Sequence, residues 1–358
     1  MVGAVVSNVR FDARVVRGDF ELDAAFTLPA GSTTAIVGPN GAGKSTILAA
    51  IAGLEAARSG TIEIAGFVVD DPSTGIFVPS RDRHVGVVFQ DHLLFPNLTV
   101  LENVAFGLRA RGQSRLAADA AASELLQRHE LAEFASRRPD QLSGGQAQRV
   151  ALVRALASEP DVLALDEPLS ALDVEARASV RSQLARHLAD FAGPVVMVTH
   201  DPLDAKLLAD QLVVLEAGKV VQIGTPVEVG RQPATSYVAS FAGLNHLRAH
   251  VDHGQIKVAG VDVALQTSEM SVAGDALVTI APSAVALHRE RPGGSPRNVW
   301  STKISGVEDF GDVRRVILGD PLELAADLTP AAVESLDLRA GQEIWASVKA
   351  TEVRVVQL

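Results

Sequence analysis

The chain is 358 residues long and 47% hydrophobic, more than one ordinary core absorbs, so two domains are expected. Acidic residues outnumber basic ones, 43 to 32, and the net charge of −11 argues against a surface that neutralises duplex phosphates, so no nucleic acid is expected as a partner, although a local basic site is compatible with it. With no cysteine there is no disulfide framework, thiolate metal site or thiol nucleophile.

The first element, MVGAVVSNVRFDARVV, has no basic segment leading into a long apolar core and does not read as a signal peptide. The longest apolar runs, such as PVVMV at 194–198, fall far short of the roughly 20 residues that span a bilayer. The chain therefore reads as soluble, reaching any membrane through a partner. Up to about residue 243, short apolar strands alternate with amphipathic helices. TTAIVG (33–38) is a strand, and beyond GPNGAGKST (38–46) the residues Ile47, Leu48, Ile51 and Leu54 recur at helical spacing. Glycine is costly to order, and a glycine-rich turn that ends in a cation calls for a compensating anion. Gly38, Pro39, Asn40, Gly41, Ala42, Gly43, Lys44 and Ser45, followed by Thr46, match the phosphate loop G-x-x-x-x-G-K-[ST], with a strand before and a helix after. The glycines let several N–H groups converge on one anion. The start of the helix adds a favourable field of about 0.3–1 kcal/mol. Lys44 is expected to reach the β- and γ-phosphates of a triphosphate, and the Ser45 hydroxyl to ligate Mg²⁺.

VLALD (162–166) and VVMVTH (195–200) are continuous apolar runs ending in polar residues, the pattern of buried parallel strands whose C-terminal ends hold ligands. Asp166 is placed to hold Mg²⁺ through water, and Glu167 to orient or deprotonate an attacking water. Read by themselves these two are also compatible with an acidic turn before Pro168. His200 is placed to hydrogen-bond the γ-phosphate, a structural histidine being the alternative. After Phe241-Ala242-Gly243 the chain turns to short valine-rich segments separated by turn residues, the signature of a small β-barrel or sandwich. RERPGGSPRN (289–298) is a turn-rich stretch expected to divide this part in two. His246, His250 and His253 in LNHLRAHVDH invite a metal reading, but the stretch reads better as a solvated linker into the β-rich part.

LSGGQ at 142–146 and the longer run DQLSGGQAQRVALVRALASEPDVLALDEPLSALD (140–173) resemble the ATP-binding-cassette (ABC) ATPases. The resemblance implies a P-loop ATPase fold of α/β type with a helical subdomain over residues 1–243. It implies that Ser143, Gly144, Gly145 and Gln146 grip the γ-phosphate of ATP held by a second copy. It assigns Gln90 to the loop that senses Mg²⁺ and nucleotide, Ser170-Ala171-Leu172-Asp173 to the loop linking two sites across a dimer, and His200 to the switch histidine. Because the chain has one phosphate loop and one LSGGQ, two sites imply a homodimer. Many members stack adenine on an aromatic residue ahead of the lysine. Here valines fall where it is usual, and Phe20 is the candidate, with a core position on a strand as its other reading.

QDHLLFPNLTVLENVAFGL resembles the coupling region of importers, which implies transmembrane permease subunits, an extracytoplasmic binding protein, and a place at the cytoplasmic face of the membrane. The tail, 244–358, resembles the all-β, OB-like accessory domains of oligosaccharide, sulfate, iron and molybdate import ATPases. Within it, 295–358 is similar to molybdate-binding modules through Ser295-Pro296-Arg297-Asn298, Gly311, LTPAAVESLDLRAGQ and WASVKAT (345–351). That likeness implies an oxyanion site from Ser295, Arg297, Asn298, Lys349 and Thr351. A barrel that only packs and dimerises is the other reading. A soluble ABC switch without a transporter remains as a separate class, although such proteins usually carry two cassettes or a coiled-coil insertion.

Overall fold

The computed structural model describes residues 8–90, 93–170, 172 and 174–357. It divides into two compact units, 1–227 and 228–358. The change of composition at residue 243 thus falls inside the second unit rather than at its edge.

The first unit is built on one eleven-stranded sheet. In chain order its strands are β1 (Val9–Arg17), β2 (Phe20–Leu28), β3 (Thr33–Val37), β4 (Ser59–Ile64), β5 (Phe67–Asp71), β6 (Ile76–Phe77), β7 (Val85–Val88), β8 (Val162–Asp166), β9 (Val195–Val198), β10 (Gln211–Glu216) and β11 (Lys219–Gly224). Their spatial order is β6-β5-β4-β1-β2-β11-β10-β3-β9-β8-β7. At one end the pairing is antiparallel, and β1 and β2 alternate buried and exposed residues as a half-buried sheet requires. Phe11 and Phe26 face each other across that pair and stack with centroids 5.1 Å apart. At the other end β10, β3, β9, β8 and β7 run parallel. There β3, β9 and the first four residues of β8 are buried throughout, as the unbroken apolar sequences of β8 and β9 predict.

Helix α1 (Lys44–Ile51) follows β3. A helical group inserted between β7 and β8, α2 (Val100–Ala110), α3 (Arg115–Arg128) and α4 (Gly144–Ala157), has its own core around Val104, Leu126, Leu131 and Val150. α2 starts with a capping box in which Thr99 and Glu102 satisfy each other's backbone N–H groups. Two further helices, α5 (Val174–Ala189) and α6 (Pro202–Leu208), flank β9 in sequence.

The helix α7 (Pro226–Arg231) crosses the division, and α8 (Ser236–Phe241) opens the second unit. Beyond them lie β12 (Asn245–Asp252), β13 (Gln255–Val258), β14 (Ala264–Gln266), β15 (Gly274–Ile280), β16 (Ala286–His288), β17 (Asn298–Asp309), β18 (Arg314–Leu318), β19 (Ala325–Leu328), α9 (Pro330–Leu336), β20 (Glu343–Val348) and β21 (Val353–Gln357). They form two five-stranded antiparallel sheets, β14-β13-β12-β15-β21 and β16-β20-β17-β18-β19. The turn-rich stretch 289–298 does not separate two modules. The last strand, β21, pairs with β15, and β16 pairs with β20, so strands from before and after it share both sheets and one core around Val278, Trp300 and Val348. Nor is LNHLRAHVDH a linker: it is strand β12 and the turn after it, pinned by pairing with β13 and β15.

Candidate active site

The strand order places the functional residues. β3, β9, β8 and β7 are parallel neighbours, and Ile36, Val198 and Asp166 lie level in the register. The segments leaving their C-terminal ends therefore converge. These are the phosphate loop after β3, His200 after β9, Asp166-Glu167 closing β8, and Gln90 after β7.

The phosphate loop ends with Gly43 at φ +104°, the N-cap of α1. A Cβ there would lie 2.9 Å from the Phe20 ring, so both the backbone angle and the close neighbour demand glycine. Phe20 is half-buried, packed at the margin of the core with its ring against this turn. The ring thus combines a core position with contact to the loop. Lys44 is 8% exposed, and its Nζ donates to the carbonyls of Gly38 (2.8 Å) and Pro39 (3.0 Å). Burial pushes the Lys44 ammonium below its usual range, opposed by the charges of Glu167 and Asp166. In turn, burial and then the Glu167 charge push the Asp166 carboxyl up, with Lys44 opposing. Lys44, Asp166 and Glu167 therefore form one electrostatic group. The two carboxylates supply the counter-charge, and an added cation would relieve the strain between them.

Glu167 is held in the left-handed region at φ +47°, its N–H bonded to the Val198 carbonyl at 3.0 Å. A non-glycine residue there is strained, a condition found where function fixes side-chain direction. Its carboxylate accepts from Gln90 Nε2 at 3.3 Å and lies 3.3 Å from His200 Nδ1. Three segments far apart in the chain thus meet at one carboxylate. Ser45 is exposed beside Lys44. Its hydroxyl, the Gln90 carbonyl and the Asp166 carboxylate are hard oxygen donors, the set that suits Mg²⁺.

Sequence reading passed over the support behind His200. Asp201 Oδ1 accepts from the N–H groups of Leu203 (2.7 Å) and Asp204 (3.2 Å), capping α6, while its Oδ2 meets Arg177 Nη1 at 3.2 Å. Arg181 Nε donates to Asp204 at 2.6 Å. These ties fix the backbone next to His200 between α5 and α6. The dipeptide Asp201-Pro202, a helix N-cap followed by Pro at N1, was the available signal.

LSGGQ forms the start of α4. Ser143 caps the helix, its Oγ accepting from the Gln146 N–H, while Gln146 Oε1 accepts from the Ser143 N–H at 2.9 Å. Ser143 and Gly144 are exposed, and among the described residues no hydrogen bond joins LSGGQ to the phosphate loop. Ser170 Oγ donates to the Glu167 carbonyl at 2.9 Å. Asp173, expected in the same loop, lies outside the described residues.

Downstream of Gln90, Asn103 is fully buried and staples the segment to α2. Its Oδ1 accepts from Phe95 N–H, and its Nδ2 donates to the carbonyls of Phe95, Leu98 and Thr99. Leu93, Phe95 and Phe106 remain exposed there, the two rings 4.4 Å apart.

In the second unit the expected oxyanion residues do not form a single set. Asn298 is 1% exposed and its amide is spent on the Gln266 backbone, accepting at 2.6 Å and donating at 3.0 Å, so it is a structural staple rather than an anion donor. Ser295, Arg297 and Thr351 are exposed. Lys349 lines a cavity of about 370 Å³ with Ser283, His288, Pro296, Ser347 and Glu352, in which His288 Nε2 and Ser347 Oγ lie 2.9 Å apart. Of the three clustered histidines, His246 meets Ser240, His250 meets Asp275 and His253 lies near Asp252.

Comparison with known proteins agrees with this geometry. The family model for ABC transporters matches residues 22–170, and that for the TOBE domain matches 294–355. The molybdenum import ATP-binding protein ModC of Mycobacterium tuberculosis is 40% identical, covering 96% of each chain. The Fe(3+) ions import ATP-binding protein FbpC 1 of Rhodococcus jostii is 43% identical over 90% of this chain and 87% of its own. The dimeric post-hydrolysis structure of the cassette MJ0796 with ADP and Pi is similar at TM-score 0.51 and 32% identity, covering 61% of this chain and 98% of that one. With its phosphate loop, carboxylate pair and LSGGQ helix in place, the chain belongs to the ABC transporter family as one of its ATP-binding, ATP-hydrolysing proteins.

Proposed function

We propose that two copies of this chain form the ATPase of a molybdate-type importer at the cytoplasmic face of the membrane. The observation that carries the ATPase chemistry is the Glu167 carboxylate, met by Gln90 and His200 and electrostatically joined to Lys44. Lys44 and the loop N–H groups bind the phosphates of ATP. Glu167 takes the proton of the attacking water, and His200 and Gln90 hold Glu167 in position. Mg²⁺, held by Ser45, Gln90 and Asp166, would neutralise phosphate charge. A single LSGGQ per chain supports a head-to-tail homodimer in which Ser143, Gly144, Gly145 and Gln146 complete the partner's site. Leu93, Phe95 and Phe106 offer an exposed apolar surface for a transmembrane permease, through which an extracytoplasmic binding protein delivers substrate.

Likeness to ModC along almost the whole chain supports molybdate or tungstate as the substrate, with iron and sulfate importers as relatives of the same class. The second unit, chiefly 295–358, is proposed to sense the oxyanion, with Lys349 as its charge. Gene deletion tests the substrate. High-affinity molybdate uptake is expected to vanish and to return with the wild-type chain but not with Glu167→Gln. Unchanged molybdate uptake with lost sulfate or iron uptake would move the assignment to that substrate. Calorimetry of the full chain with molybdate, tungstate and sulfate tests the sensor separately.

A further inference from the structure

Arg83 lies outside every motif discussed so far, yet it is 2% exposed, and the guanidinium itself is inaccessible. A buried cation that binds no substrate needs an account, because desolvation alone would not tolerate it. Its bonds supply one. Nη1 donates to the carbonyls of Ala50 (2.5 Å) and Ile51 (3.3 Å), the last turn of α1. Nε donates to Val78 O at 2.6 Å and Nη2 to Val69 O at 3.3 Å. Nη2 also lies 3.5 Å from Asp70 Oδ2, which accepts from Ala57 N–H at 3.0 Å. The cation stands 5.1 Å from the Phe77 ring centroid. Gly53, just past the helix at φ +72°, has no room for a side chain, since a Cβ there would lie 2.6 Å from Arg83 Nε. The chain has thus kept glycine where the guanidinium passes.

The helix that Arg83 holds is the helix of the phosphate loop. α1 is eight residues long, so its two ends are only two turns apart. Its N-terminus presents N–H groups and Lys44 to the phosphates, while its C-terminus, the negative pole, receives a full positive charge. The far end of that charge's anchorage is β5 of the antiparallel layer. The same layer, through β2, carries Phe20 against Gly43 at the helix's other end. One layer therefore grips α1 at both ends.

We infer that Arg83, anchored by Asp70, is a positioning residue for nucleotide binding that orients α1, and with it the phosphate loop, from the end opposite the phosphates. It rests on the ATPase reading of the site. Glu167 and His200 follow β8 and β9, and among the described residues Arg83 makes no hydrogen bond to them or to Gln90, which lies at the far end of β7 from Arg83. Losing the strut should therefore weaken nucleotide binding more than the chemical step.

Two variants of the full chain test this. Arg83→Lys keeps the charge but loses the fork. Arg83→Met with Asp70→Asn removes both buried charges at similar volume, which keeps a folded protein available. Wild-type binding of MgATP, measured alongside, checks the site itself independently. The expected result in either folded variant is a KM for MgATP raised about five- to tenfold with kcat within about threefold, and a matching loss in calorimetric ADP affinity. A merely structural strut predicts a lower melting temperature and less active protein at unchanged KM and ADP affinity, and that outcome overturns the proposal.

Discussion

Glu167 shows how much of the site rests on one residue. It sits on a strained backbone, meets Gln90 and His200, and shapes the ionisation of both Lys44 and Asp166. Glu167→Gln keeps the size and the backbone bond to Val198 but removes the proton acceptor. Nucleotide binding is expected to persist while turnover falls by about 10²–10⁴, the usual worth of a general base. Equilibrium ATP binding beside phosphate release checks both halves, and near-normal hydrolysis would remove Glu167 from this role. The motif residues were legible from sequence because each closes an apolar strand or opens a helix. Arg83 was not: in SRDRHVG it looks like any charged turn residue, and only the fold brings α1 and β5 to it. The reverse error occurred at Asn298, which in SPRN looks like a free donor until the backbone of Gln266 closes over it.

At the scale of elements, the helical group meets α5 through a pair of histidines. His129, the C-cap of α3, and His187 on α5 face each other with Nδ1 atoms 3.2 Å apart and rings edge to face. They line a cavity of about 760 Å³ with Glu124, Arg128 and Asp190. Burial, His129 and then Arg149 and Arg186 lower His187 from 6.5 to about 4, with Asp190 opposing. Burial, Arg128 and Arg149 lower His129, again against Asp190. Both rings are thus neutral in the fold at neutral pH. Below 6.5 the unfolded chain binds protons that the folded chain resists, so stability is full above that value and is lost as pH falls toward about 4. His187→Gln should flatten this acid slope, read as the difference in urea midpoint between about pH 7 and about pH 5 for variant and parent. An unchanged slope would show that the pair is not responsible. Nothing in the sequence pointed to it, since the two residues lie 58 positions apart and neither belongs to a motif. By contrast, the capping signals of α2, α4 and α6 were local and readable, because each cap is made by residues two or three apart.

At the scale of the whole molecule, the central question is whether one chain can make a complete site. The phosphate loop and Glu167 gather at the strand ends, whereas the LSGGQ serine is an exposed helix cap bonded only to Gln146 and Ala147 of its own helix among the described residues. If a second copy supplies the missing jaw, damage to the two jaws must complement between chains. Lys44→Ala destroys the phosphate loop, and Ser143→Arg blocks the LSGGQ end with a bulky side chain. Each variant alone builds dimers in which both sites are defective. A mixed dimer pairs the intact loop of one chain with the intact LSGGQ of the other and so restores one site of two. Random mixing makes half the dimers mixed, so activity should return to about a quarter of wild type if the sites work independently. It should also stay far below that if hydrolysis requires both sites filled. No recovery, together with no ATP-dependent tightening of mixed dimers demonstrated by differently tagged chains, would mean that LSGGQ acts within its own chain, and the exposed cap would then have to close on the phosphate loop of the same molecule.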